Sequence, residues 1–128
     1  MNRNAFTLIE IMIVVIIIAV LAVVCQPMFI KAIEKAKVGE AISNLNIIRS
    51  AQKSYLLEHN TFALSIDSLY IDNPNSETSR HFDYTIESAD TDNFVARAQR
   101  RNNAPSPYDT YYYEAGKDGP ITSNGTLI

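Results

Sequence analysis

The sequence is poor in the residues that build most active sites. Its one cysteine, Cys25, rules out an intramolecular disulfide, so nothing covalent staples the C-terminal part and that part must rely on its own core. Histidine occurs twice, at His59 and His81, far apart and without cysteines or spaced carboxylates around them. A zinc site takes about four such ligands, so both histidines read as surface residues. The four glycines form no P-loop and no dinucleotide fingerprint. No Gly-x-Ser-x-Gly stands before a helix to make a serine nucleophile. Asp109, Asp118 and Asn124 are oxygen donors in one polar region, but their spacing matches no compact calcium loop. No catalytic residue, metal or cofactor is expected. Any nucleotide-driven step must belong to another protein.

Positive charge is also scarce. The 128 residues carry a net charge of −3, which gives no electrostatic case for nucleic acid. Residues 1–58 hold six Lys/Arg and four Asp/Glu, whereas residues 59–128 hold five and ten. Arg97, Arg100 and Arg101 are a small basic cluster inside this acidic half and read as subunit salt bridges or a solvated face.

What the chain does have is concentrated apolar surface. Ile11 to Cys25 is an unbroken apolar run, and Phe6 to Cys25 is twenty residues with only Thr7 and Glu10 polar. As a helix that length spans roughly 30 Å, the thickness of a bilayer's hydrocarbon core. A cleaved secretory signal would be shorter and end at a small-x-small site. Here the run continues through Pro27 into a second pattern. Ile30, Ile33, Val38, Ala41, Ile42, Leu45, Ile48, Tyr55 and Leu56 recur mostly at spacings of three or four. Lys31, Glu34, Lys35, Lys37, Glu40, Arg49 and Lys53 are assigned to the other faces, with Glu34–Lys37 and Lys37–Glu40 pairing at i,i+3. The two patterns predict one rod from about Phe6 to Glu58, about 80 Å long. Pro27 lacks the N–H that would reach the Val23 carbonyl, so a helix bend is expected there. A single-pass membrane protein that stays monomeric and binds a partner is one reading of such a chain.

The remaining residues read as a small sheet. Ser65–Tyr70 suits a short helical turn, and Asp72–Ser76 is dense in turn formers. Phe82, Tyr84 and Ile86 alternate with polar residues, as do Phe94, Ala96 and Ala98, and a third strand begins at Tyr111–Tyr113 and ends at Glu114–Ala115. Asp90–Asn93 and Arg100–Pro107 connect them. The expected fold class is α+β: a long N-terminal helix, transmembrane in its lower half and amphipathic above, packed against a small antiparallel sheet. The expected divisions are 1–5, a short leader; 6–27, the membrane helix; 28–58, the amphipathic helix; and 59–128, a globular region of about three strands.

Ala5-Phe6-Thr7-Leu8-Ile9-Glu10-Ile11-Met12-Ile13-Val14-Val15, with Pro27 following, resembles the processing site and anchor of type IV pilins and of the related type II secretion pseudopilins. The likeness continues through Lys31–Lys37 to Ala51–Tyr55. It implies cleavage between Ala5 and Phe6 by a membrane-bound prepilin peptidase, where Ala5 stands in place of the family's usual glycine. It further implies N-methylation of the new Phe6 amine, and bundling of the mature helices in a homo-oligomeric filament core. An inner-membrane platform and a cytoplasmic ATPase would extract subunits from membrane lipid. The chain would be a single-pass inner-membrane precursor and, once assembled, a cell-surface or periplasmic filament. A pilus subunit is the first reading and a secretion pseudopilin the alternative; the cysteine pair that often closes the C-terminal loop of a pilin and the tryptophan that many major pseudopilins carry near the C-terminus are both missing. Glu10 is the one charged side chain between Arg3 and Lys31. A carboxylate at a bilayer's centre costs roughly 2.5–3.5 kcal/mol on insertion scales, so Glu10 needs a cation, and the Phe6 amine of an incoming subunit can supply one.

Overall fold

The computed structural model describes residues 4–127. Its fold is α+β. One helix, α1 (Leu8–His59), is followed by four strands: β1 (Phe82–Ala89), β2 (Phe94–Arg100), β3 (Tyr112–Ala115) and β4 (Thr122–Ser123). They form a single antiparallel sheet in the order β1-β2-β3-β4. The fourth strand is two residues long and lies in the tail, where the sequence carries no alternation to announce it. Short 3₁₀ turns at Ile66–Ser68 and Pro74–Ser76 fall in the segments expected to turn. The chain divides into two compact units, one ending at Ile33 and the other starting at Glu34.

In the first unit α1 is apolar on every side, and its large side chains from Leu8 to Val24 are exposed. The helix is long and apolar enough to cross a membrane. Pro27 lies inside it.

The second unit is built on the part of α1 after Ile33. Val38, Ala41, Leu45, Ile48 and Gln52 are buried along one stripe, against the inner face of the sheet. That face is filled by a large–small–large layer: Tyr84 of β1, Ala98 of β2 and Tyr113 of β3 stand opposite one another in register. Ala96 and Ala98 are fully buried, and their small side chains leave room between the rings for the helix. A bulge between Ile86 and Ser88 shifts the end of β1, so that Ala89 pairs with Phe94.

Polar groups finish the elements. α1 stops at Asn60, whose φ of 56° is left-handed, a conformation asparagine tolerates better than most residues. The Asn60 N–H donates to the Leu56 carbonyl at 2.8 Å. The Gln52 carboxamide donates to the Ala63 carbonyl and accepts from the Ala63 N–H, both at 2.7 Å, as a neighbouring strand would. Asn75 does the same at the outer edge of β1: it accepts from the Tyr84 N–H at 2.8 Å and donates to the Tyr84 carbonyl at 2.7 Å. Asp90 closes the β1–β2 turn by accepting from the N–H groups of Asp92 and Asn93. These two bonds hold its carboxyl below the usual aspartate range.

Candidate processing and assembly site

The N-terminal end of α1 collects the residues singled out by sequence. Residues 4–7 are outside the helix and exposed, so the Ala5–Phe6 peptide bond is in non-helical, accessible chain. The Phe6 side chain is 77% exposed. Helix starts expose backbone N–H groups that lack partners. Here the Thr7 hydroxyl accepts from the Glu10 N–H at 3.3 Å, and the Glu10 carboxylate accepts from the Thr7 N–H at 3.4 Å. This reciprocal pair is a capping box. The sequence reading missed it, although Thr-x-x-Glu before an apolar run is its signature. The box aims the Glu10 carboxylate back toward the start of the helix, at the N–H one residue beyond Phe6. A carboxylate in a first turn is also favoured by the helix dipole.

The Phe6 amine itself does not exist until the chain is cut. The described residues therefore bring Ala5, Phe6, Thr7 and Glu10 together along one chain, and the pairing of Phe6 with Glu10 of another copy lies beyond a single chain. Pro27 stands within α1 and cannot donate to the Val23 carbonyl.

In the second unit two polar networks tie α1 to the sheet. Glu34 is buried, not on a solvated face. Arg100 clamps it with Nε to Oε2 at 2.9 Å and Nη2 to Oε1 at 3.2 Å, and Lys37 adds a bond of 2.9 Å. Both side chains of the Glu34–Arg100 pair are 3% exposed. Arg100 also donates through Nη1 to the His81 carbonyl and to Asn103. Burial pushes the Glu34 carboxyl up, but the hydrogen bonds and charges of Arg100 and Lys37 outweigh it and hold the group below its ordinary value. The missed signal is positional: Glu34 stands four residues before Val38 and seven before Ala41, on the buried stripe. In the first unit Ile30 and Ile33, assigned to that stripe, are exposed instead.

The second network centres on Glu40. His81 donates to it through Nδ1 at 2.6 Å and through its backbone N–H at 3.1 Å. Asn44 donates to the Tyr84 hydroxyl at 2.9 Å. Burial, with Glu40 nearby, pushes the Tyr84 phenol well above its ordinary value. His81 is therefore a bridging residue, while His59 stacks on Tyr55 with ring centroids 3.9 Å apart.

The structure disperses the arginine cluster. Arg97 pairs with Glu114 and lies over the Tyr112 ring, Arg100 turns inward to Glu34, and Arg101 is 3.7 Å from Asp83. These are contacts within one chain. Asp118 pairs with Lys53, and Asn124 binds the backbone of Tyr112 and Thr110. Among the described residues no group of three or more His, Cys, Asp and Glu is placed to hold a metal ion.

Comparison with known proteins bears on the same residues. The prokaryotic N-terminal methylation motif matches residues 1–25, and the family described as type IV pilin-like G and H matches residues 39–117. A relative, the type IV major pilin protein PilA of Myxococcus xanthus, is 47% identical over 62 residues. That stretch is 48% of this chain but only 28% of the relative. The crystal structure of the non-core minor pilin PilV of Neisseria meningitidis superposes with a TM-score of 0.55 at 18% identity, covering 75% of this chain and 91% of that one. At that identity the likeness is one of fold.

Proposed function

Because this chain belongs to the type IV pilin family, by its match over residues 39–117, we propose that it is a structural, non-catalytic subunit of a pilus-like helical filament. The observation that carries the reading is the capped start of α1. An exposed Ala5–Phe6 bond precedes a box that holds Glu10, the one charged side chain from Asn4 to Ile30. In this reading a prepilin peptidase cuts after Ala5, and methylation leaves the Phe6 amine cationic. The amine of an incoming subunit then meets Glu10 of a subunit already in place. Both charges are neutralised in an apolar core where the dielectric is low. Any other register leaves a buried charge alone, so the pair sets the axial stagger. Before assembly the apolar part of α1 is held in membrane lipid, in the inner membrane. A platform and its ATPase move the subunit out of the bilayer.

Intact mass and N-terminal sequencing of sheared filaments test the first step: a methylated Phe6 end is expected, and filaments retaining Met1 to Ala5 would refute it. Glu10→Ala tests the second. The variant should insert and be cleaved, yet assemble poorly or without register, with Glu10→Asp intermediate. Normally spaced filaments in wild-type amounts from Glu10→Ala would overturn the pairing.

A further inference from the structure

The segment after β4 is clipped to the sheet by a side chain. Asn124 is exposed, and its carboxamide reaches across to the start of β3. Its Oδ1 accepts from the Tyr112 N–H at 2.7 Å, and its Nδ2 donates to the Thr110 carbonyl at 3.0 Å. Beyond the clip, Leu127 is 4% exposed and lines one small void with Val38, Phe82 and Tyr113. β4 is only two residues long, so the segment has few other ties to the sheet.

Asn124 is also the one asparagine in the chain that is followed by glycine. A following side chain would hinder attack by its own backbone nitrogen on the asparagine carboxamide, and Gly125 has none. Packing fixes that glycine, since a Cβ there would run into the Tyr111 ring. The surrounding hydrogen bonds fall on the atoms such an attack would use. The Gly125 N–H donates to Ser123 Oγ at 2.9 Å, within reach for proton transfer. The Ser123 hydroxyl donates to the Gly125 carbonyl at 3.2 Å, which leaves its lone pairs for that N–H. The Tyr112 N–H on Oδ1 stands where negative charge develops when the carboxamide carbon becomes tetrahedral.

We propose that Asn124–Gly125 is a self-modification site, at which the folded chain converts Asn124 to aspartate or isoaspartate and so releases the segment that follows. The Gly125 nitrogen forms a bond to Asn124 Cγ and gives up its proton, by way of Ser123 Oγ, to water. The Cγ–Nδ2 bond breaks, and Nδ2 takes up a proton from water and leaves as ammonia. Water then reaches this exposed residue and opens the cyclic imide at either carbonyl. Amide and water become acid and ammonia, with nothing oxidised or reduced. Either product loses the Nδ2 donor and sets a carboxylate oxygen against the Thr110 carbonyl. Isoaspartate also lengthens the main chain by one carbon before Leu127. The clip belongs to a single chain, so the inference stands apart from the filament reading.

Peptide mass mapping of the full chain, held in detergent at mildly alkaline pH, tests it. The peptide containing Asn124 should gain the mass of an amide-to-acid exchange. A hydrogen bond to a developing charge is worth at least about tenfold in rate, so the folded chain should convert Asn124 roughly tenfold faster than the same chain unfolded in urea at that pH. Ser123→Ala should remove most of this advantage, and Ser123→Thr should restore it. Aged wild type and Asn124→Asp should share a Tm below that of fresh wild type. Asn124→Gln, whose longer side chain cannot close the same ring, should keep its starting Tm on ageing. Conversion no faster in the folded chain than in urea, or a rate indifferent to Ser123→Ala, overturns the site. A converted chain that melts at the same temperature as the fresh one overturns the release.

Discussion

Replacing Arg100 by methionine removes the guanidinium and keeps most of the apolar stem. Glu34 is then left with Lys37 as its one cation, in a site where it is 3% exposed. Breaking a buried pair by deleting one partner costs about 3–5 kcal/mol, because the other charge stays buried. Lys37 keeps one bond of 2.9 Å to Glu34, which favours the low end, about 3 kcal/mol. Asn103 also loses its bond from Nη1, and the His81 carbonyl keeps only the Arg101 N–H. For a unit of this size that corresponds to a fall in Tm of about 12–24 °C. Urea unfolding of the full chain in detergent, followed by tyrosine near-ultraviolet circular dichroism, reads the loss directly. The double variant Glu34→Leu, Arg100→Met buries no charge and should recover most of the stability. A loss below about 1 kcal/mol for Arg100→Met, or no recovery in the double variant, would refute the reasoning. The pH dependence has a fixed sign. The folded carboxyl is held below its unfolded value, so its contribution is full above the unfolded pKa and is lost as pH falls through the folded one. Glu34→Gln should flatten that acid limb.

Gly125→Ala should destabilise by about 1–3 kcal/mol in the same assay, because a Cβ there would run into the Tyr111 ring; unchanged stability would show that the ring moves freely. Asp90→Ala removes two backbone bonds from the β1–β2 turn and should lower Tm. Since the Asp90 carboxyl is also held low, the difference from wild type should shrink as pH falls through its folded pKa, and a pH-independent difference would count against it. Pro27→Ala restores the donor to the Val23 carbonyl, so helicity near Val23 should rise and filaments should stiffen with insertion unaffected. Identical helix geometry in filament maps of the two would exclude a bend at Pro27.

The sequence was informative where a pattern repeats. The stripe from Val38 to Ile48 and the alternation at Phe82–Ile86 and Phe94–Ala98 stand where they were expected, because a long helix and two strands each commit several residues to one face. β4 was invisible: two residues, Thr122 and Ser123, have no period, and only the edge of β3 makes them a strand. Glu34 and Arg100 were misread for the opposite reason. Each is buried at a position its own element turns inward, and a charge there makes sense only once the partner from the other element is known. The Thr7–Glu10 box was legible and overlooked. The lone charge of Glu10 in an apolar run was legible from local sequence, since no distant residue is needed to place it.

Asn75 gives the outer edge of β1 a lasting occupant. A bare strand edge is a template on which an identical strand can add, and copies gathered at one assembly point would meet at high local concentration. A side-chain amide already seated on the Tyr84 N–H and carbonyl removes that foothold near the start of the strand. The chain is thereby protected from growing sideways, by backbone pairing, into sheets that would compete with ordered growth along an axis.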